Sequence, residues 1–271
     1  MAETARMRRM RWLERVGDAA IGPLAFFGGL SIFGARALRD AFRPPFEFVE
    51  IARQLFDIGW RSVPLIAASG FAIGIVLSMH TRASLERFGA EAMIPAGLAI
   101  ALIRETGPLT TGLLLSGRVG AGIGAELGAM RVTEQIDALE ATAVDSFKYL
   151  AVTRILACML ALPLLTVLMN FAGIFGGFVA EAAIAGMSFQ LYFDRAFSLI
   201  EFSDFMPATL KTIVFGFIIG TVSSYLGFET RGGTEGVGRT STRSVVLASI
   251  FIIVSNVVLV RLIFFFFPQG G

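Results

Sequence analysis

Between Ile155 and Ala180 the chain runs 26 residues without one charged side chain. The hydrocarbon core of a bilayer is roughly 30 Å thick, and a helix needs about 20 mostly apolar residues to cross it. Within that layer each backbone N–H and C=O must be satisfied by the protein itself, which restricts the solutions to helices and closed barrels. Long unbroken apolar runs, rather than short alternating ones, select helices. The rest of the chain agrees. Of its 271 residues 55% are hydrophobic and 16% charged, with 26 Phe, and the mean hydropathy of +0.73 lies well above that of ordinary soluble domains. The expected fold is an all-α, polytopic membrane protein.

Five spans are predicted, at about 62–80, 93–117, 155–180, 207–228 and 244–267. The apolar run from Ala19 to Gly34 is shorter, contains Pro23 and paired glycines, and is flanked by Arg15 and Arg36. It suits an interfacial or re-entrant elbow helix better than a span. Pro44-Pro45 marks a break, and the amphipathic stretch from Phe46 to Trp60 is expected along the cytoplasmic surface. The predicted organisation is thus residues 1–61 for a basic N-terminus, elbow helix and surface helix, then 62–267 for a five-helix membrane domain.

Orientation follows from Lys and Arg, which concentrate in cytoplasmic loops. With the N-terminus inside, seventeen fall on the cytoplasmic side and four outside. The early arginines Arg6, Arg8, Arg9, Arg11 and Arg15 precede no small-residue cleavage site, so this segment is expected to be retained. Cys158 is the single cysteine, which leaves no intrachain disulfide or thiol metal cluster. Glycines recur four apart at Gly70/Gly74, Gly120/Gly124/Gly128, Gly173/Gly177 and Gly216/Gly220. That spacing brings helix backbones together, either inside one chain or across a dimer seam.

Within the second span, Arg104 and Glu105 stand side by side. Arg104 lies eleven residues past Met93, about 16 Å along a helix, near mid-bilayer. Successive helix residues point about 100° apart, so the two cannot bridge each other and each needs another partner. The other spans offer few: His80 ends the first and Arg261 sits late in the last. A polar cavity, a symmetry mate or an amphipathic ligand would have to supply the rest. Pro108 follows, and its missing N–H frees the carbonyl of Arg104 itself, as in a bent cavity wall. Intramembrane charges commonly mark pathways for substrate or protons; the competing reading is an ion pair that fixes helix register.

Residues 117–150 between the second and third spans carry five acidic groups. Val132, Ile136 and Leu139 share one helix face, with Glu134, Asp137 and Glu140 elsewhere, predicting a short amphipathic helix. An apolar stripe with an acidic rim suits docking in a groove of a soluble partner, whereas helices lying on a bilayer favour Lys and Arg on the polar face. Asp145 is placed to cap the third span, with Lys148 and Arg154 near the surface. The chain has no G-x-x-x-x-G-K-[ST], so ATP, if used, is bound by another subunit.

The block "LIRETGPLTTGLLLSGRVGAGIGAELGAMRVTEQIDALEATAVD", residues 102–145, resembles the signature of the MlaE (YrbE-like) permease family. It carries the elements R-E-x-G-P, G-R-x-G, A-E-x-G-x-M and T-E-Q in order. Looser similarity extends through "SGFAIGIVL" at 69–77 and "GVGRTSTRSVV" at 236–246. Ser146 departs from the pattern, since many members have proline after the aspartate. The resemblance implies the permease subunit of an ABC transporter moving phospholipid or a related lipid between the bacterial inner membrane and the outer envelope. It further implies a homodimer, partner ATPase subunits that bind the ATP, and a periplasmic MCE-domain protein, with no nucleic acid, no metal and no cofactor in this chain. By the same resemblance, Arg104 and Glu105 flank a lipid cavity and Leu77, His80, Leu85 and Phe88 lie near its opening. A coupling helix at about 131–143, with Glu134, Gln135, Ile136, Asp137 and Leu139, would meet the ATPase.

Two other functional classes compete with this one. An ion-coupled secondary transporter or channel would use the Arg104–Glu105 pair without an ATPase. An intramembrane enzyme acting on lipids lacks a catalytic set: His80 is the lone histidine, and neither G-x-S-x-G nor H-E-x-x-H occurs.

Overall fold

The computed structural model describes residues 22 and 24–266. The early arginines, Pro23 and residues 19–21 of the expected elbow lie outside them. Among the described residues all regular structure is helical, and five helices are long and apolar enough to cross a membrane.

The first helix, α1, covers residues 24–41. Its Ala37 is buried with Phe147, Ala151, Val152 and Ile155, Phe33 meets Phe147 edge-on at 4.8 Å, and the Arg36 guanidinium lies 4.1 Å over the Phe147 ring. After the Pro44-Pro45 break comes α2, Phe48–Leu85, one helix of 38 residues with Pro64 inside it. The stretch expected along the membrane surface is therefore the first part of the spanning helix. Its amphipathic face continues the face that packs in the bundle, with Glu50, Ile58, Ser62 and Ile66 all buried, so the chain has no reason to turn.

The second span, α3, runs Glu91–Val132, beyond the predicted end at 117. The glycine-rich stretch after Gly117 stays helical because it packs on the last two spans and the turn between them: Gly124 faces Ser244, Leu127 meets Gly227 and Gly128 faces Thr230. A short helix α4, Gln135–Ala141, leads to α5, Phe147–Ala185. Then come α6, Phe189–Phe197, α7, Phe202–Phe228, and α8, Gly233–Phe266. One end of the bundle thus carries α4 and the other α6.

The glycine pairs answer a question of packing. A Cβ at Gly74 would strike the backbone of Gly173, and one at Gly216 the backbone of Cys158 and Met159. Both pairs hold helices of the same chain together, α2 on α5 and α5 on α7, at van der Waals distances that a side chain would forbid.

Candidate functional site

Charged groups meet where α3, α7 and α8 converge near the α6 end. The local cause is a distortion in α3. Residues Leu102–Thr106 form a π-helical turn, and the Gly107 N–H donates to the Leu102 carbonyl five residues back. Pro108 follows with no N–H to give, so the Arg104 carbonyl lacks its helical donor. The Lys211 ammonium of α7 takes that place, donating to the Arg104 carbonyl at 2.9 Å and to Glu105 Oε2 at 2.8 Å.

Asp204 does double duty at the start of α7. Its Oδ2 accepts the Glu201 N–H at 3.2 Å in a reciprocal cap, and its Oδ1 pairs with Arg104 Nη2 at 2.6 Å. Asn256 of α8 donates to the second oxygen of Glu105. Asp204, Lys211 and Asn256 are buried, but Arg104 and Glu105 keep 37% and 44% of their side chains exposed. They face a cavity of 780 Å³, whose walls also include Ala208, Val257, Val260, Ile263 and Arg261. The Arg104 Nε and Asn256 Oδ1 atoms are buried without hydrogen-bond partners among the described residues. The arrangement is an apolar hollow with polar groups concentrated in one place, which is the shape an amphiphile requires.

Arg104 and Glu105 therefore line a cavity, and each finds an ionic partner within the same chain. Lys211 lies close to the start of the predicted fourth span, 207–228, where a charge reads as an end-of-span group rather than as a partner for the second span. The Glu201/Asp204 cap sets that start at Phe202 instead. The spacing Glu201-x-x-Asp204, with Lys211 two turns on, was the available signal, as was Asn256 alone in an apolar run. Leu77, His80, Leu85 and Phe88 are not brought to this cavity. Leu77 packs against the cluster around Leu98 and Leu102, while His80 and Phe88 are exposed near the α6 end of α2 and Leu85 is half-buried there.

A second charge centre at the same end is closed. Glu181 of α5 is fully buried. It accepts Ser78 Oγ at 2.8 Å and Arg82 Nε at 3.3 Å, with a second Arg82 nitrogen on its other oxygen. Arg82 also approaches Glu91 at 3.8 Å. Nearby on α6, burial pushes the Tyr192 phenol well above its ordinary range, with Glu181 adding to the shift, so it stays protonated.

At the opposite end, α4 begins at Glu134, held in the left-handed conformation at φ 58°. Ile136 is 1% exposed and Leu139 is half-buried, both packed into the bundle core. The predicted apolar stripe thus anchors α4 to its own chain, and Ile136 is not available to a partner. Glu134, Gln135, Asp137 and Glu140 remain exposed, with Asp137 paired to Arg131 at 2.6 Å. Ser146 donates to Glu140 at 2.6 Å and Asp145 Oδ1 accepts the Lys148 N–H at 3.1 Å, which fixes the turn into α5. Arg154 is buried within the chain and pairs with Glu126 at 2.7 Å.

The chain is similar to known proteins over most of its length. The family model described as Permease MlaE matches residues 51–262. A probable ABC transporter permease protein of Rickettsia bellii is 37% identical over 92% of this chain and 96% of its own length. The intermembrane phospholipid transport system permease protein MlaE of Haemophilus influenzae is 29% identical over 87% of this chain and 90% of its own. The chloroplastic protein TRIGALACTOSYLDIACYLGLYCEROL 1 of Arabidopsis thaliana is 32% identical over 81% of this chain and 62% of its own. With five spanning helices, a polar cavity built on the R-E-x-G-P turn and a match over most of its length, the chain belongs to the MlaE permease family and is the membrane-spanning subunit of an ABC transporter.

Proposed function

We propose that the cavity beside Arg104 and Glu105 holds a phospholipid or related lipid during its transfer between the inner membrane and the outer envelope. The observation that carries this reading is that the two ion pairs, though built from one chain, remain half-open to an apolar cavity of 780 Å³. A pair that served register alone would be better enclosed, because exposure to lipid or water adds nothing to it. Arg104 is suited to donate charge-assisted hydrogen bonds to a phosphate, and Val257, Val260 and Ile263 offer apolar surface to the tails. The name of the Haemophilus relative, a phospholipid transport permease, supports the same substrate class.

An ABC permease works with an ATPase. On this reading the ATPase binds the exposed acidic face of α4, through Glu134, Gln135 and Asp137, while Ile136 and Leu139 carry the motion into the bundle. A second copy of the chain would close the open side of the cavity, and a periplasmic MCE-domain protein would receive or deliver the lipid at the α6 end. The excess of basic residues on that side supports a cytoplasmic N-terminus and a cytoplasmic α4 end.

The test is transport of labelled phospholipid by the reconstituted complex. Arg104→Ala or Glu105→Ala is expected to lower it at least tenfold while the ATPase still co-purifies; normal transport in both variants would end the proposal. Glu134→Lys should instead release the ATPase, and an unchanged pull-down would remove α4 from the coupling role.

A further inference from the structure

The charges around the cavity do not balance. Among the described residues lining it are three cations, Arg104, Lys211 and Arg261, and two carboxylates, Glu105 and Asp204. Both carboxylates are committed. Glu105 takes Lys211 on one oxygen and Asn256 on the other, and Asp204 takes Arg104 on one oxygen and the Glu201 N–H on the other. Arg261 is exposed and forms no ion pair among the described residues. It lies five residues beyond Asn256, about 7–8 Å further along α8 toward the α6 end.

We propose that Arg261 makes the cavity selective for lipids whose headgroup carries one net negative charge, over zwitterionic lipids with the same tails. This rests on the lipid reading above. A phosphodiester with a neutral polar head would cancel the surplus cation beside the apolar wall of the cavity, where an uncompensated charge is costly. A zwitterionic head brings the same phosphate but also an ammonium. That ammonium would meet three cations, and the two carboxylates it could turn to are already shared with Lys211, Asn256 and Arg104, so it would gain less than it loses by the approach of like charges. Arg261 is thus the residue that distinguishes the two classes, while the paired groups bind what they share. A soluble phosphate has the same anionic chemistry, but the apolar wall of Val257, Val260 and Ile263 favours a ligand with tails.

The experiment uses the full chain in complex with its ATPase, exposed to an equimolar mixture of phosphatidylglycerol and phosphatidylethanolamine with identical acyl chains. Lipid retained after detergent exchange is quantified by mass spectrometry, and the ratio is the readout. An enrichment of the anionic lipid of roughly tenfold is expected, equivalent to about 1.4 kcal/mol. Arg261→Gln should bring the ratio to within about twofold of one, and Arg261→Lys should keep most of the preference, because charge rather than fork geometry sets it. Equal retention by the wild type, or a preference that survives Arg261→Gln, overturns the proposal; the second result would mean that Arg261 points out to the membrane interface. Displacement of the bound lipid by millimolar inorganic phosphate would make this a soluble-anion site and overturn it as well. Retention of neither lipid would remove the lipid reading itself, a result distinct from retention without preference.

Discussion

Two carboxylates near the α6 end of the bundle, Glu181 and Glu105, are each held by a cation and a neutral donor, and they differ in what lies on the remaining side. Glu181 has protein all around it, with Arg82 and Ser78 bound and none of its surface open. Glu105 has Lys211 and Asn256 bound, but 44% of its side chain faces a cavity. The chemistry is the same and the enclosure is not. A closed pair can only hold α2 against α5, since nothing else can reach it. An open pair is rearranged at little cost whenever something enters the cavity, so it can respond to a ligand. Exposure, not the presence of membrane-depth charge, separates a clasp from a site.

The largest effect that would test this contrast is on stability at the closed centre. Glu181→Ala leaves the Arg82 guanidinium buried without its main partner, which costs about 3–5 kcal/mol. Its unfolding midpoint in detergent should fall by on the order of 10 °C. Glu105→Ala should cost about 1–2 kcal/mol, because the buried Lys211 keeps the Arg104 carbonyl and the space that Glu105 vacates opens it to the cavity. Equal losses in the two variants would erase the distinction drawn here.

The contrast was only half visible in the sequence. Hydropathy located the five spans because the bilayer imposes a length on each one independently. The Arg104–Glu105 pair stood out for the same reason, and Pro108 predicted the freed Arg104 carbonyl because that effect is local to one helix. The identity of its partner was not local. Lys211, Asp204 and Asn256 reach the site through the register of α7 and α8 against α3, which no periodicity within one segment encodes. The Ile136 stripe illustrates the same limit: the pattern shows that one face of α4 is buried, but not whether its own bundle or another protein covers it. Arg82 and Glu181 were hidden differently, since each lies at a span end where a charge attracts no notice.

A smaller effect comes from replacing each pair with apolar side chains of similar size. Buried ion pairs are often matched or exceeded in stability by hydrophobic replacements. Arg82→Met combined with Glu181→Met should therefore recover stability to within about 2 kcal/mol of the parent chain and retain lipid transport. Glu105→Leu combined with Lys211→Met should also fold, with transport lost at least tenfold. Thermal unfolding and reconstituted transport, measured on both double variants, read the two properties separately. Transport that survives in the Glu105/Lys211 double variant would reduce the open centre to a second clasp.

The smallest effect concerns the two neutral donors, which make matched hydrogen bonds in unmatched surroundings. Ser78→Ala removes a 2.8 Å bond to Glu181 that no water can replace, since the carboxylate is sealed. About 1–2 kcal/mol should be lost, less than a fully orphaned charge because Arg82 still binds both oxygens. Transport should stay within twofold of the parent. Asn256→Ala removes the corresponding bond to Glu105, but water in the cavity can take it over, so the unfolding midpoint should move by less than about 1 kcal/mol equivalent. Transport should fall several-fold, because the Glu105 carboxylate, no longer held by Asn256, then presents an unneutralised negative oxygen to the incoming phosphate. A stability loss in Asn256→Ala as large as in Ser78→Ala would show that water does not reach Glu105, and a carboxylate that water cannot reach is one that no lipid headgroup reaches either.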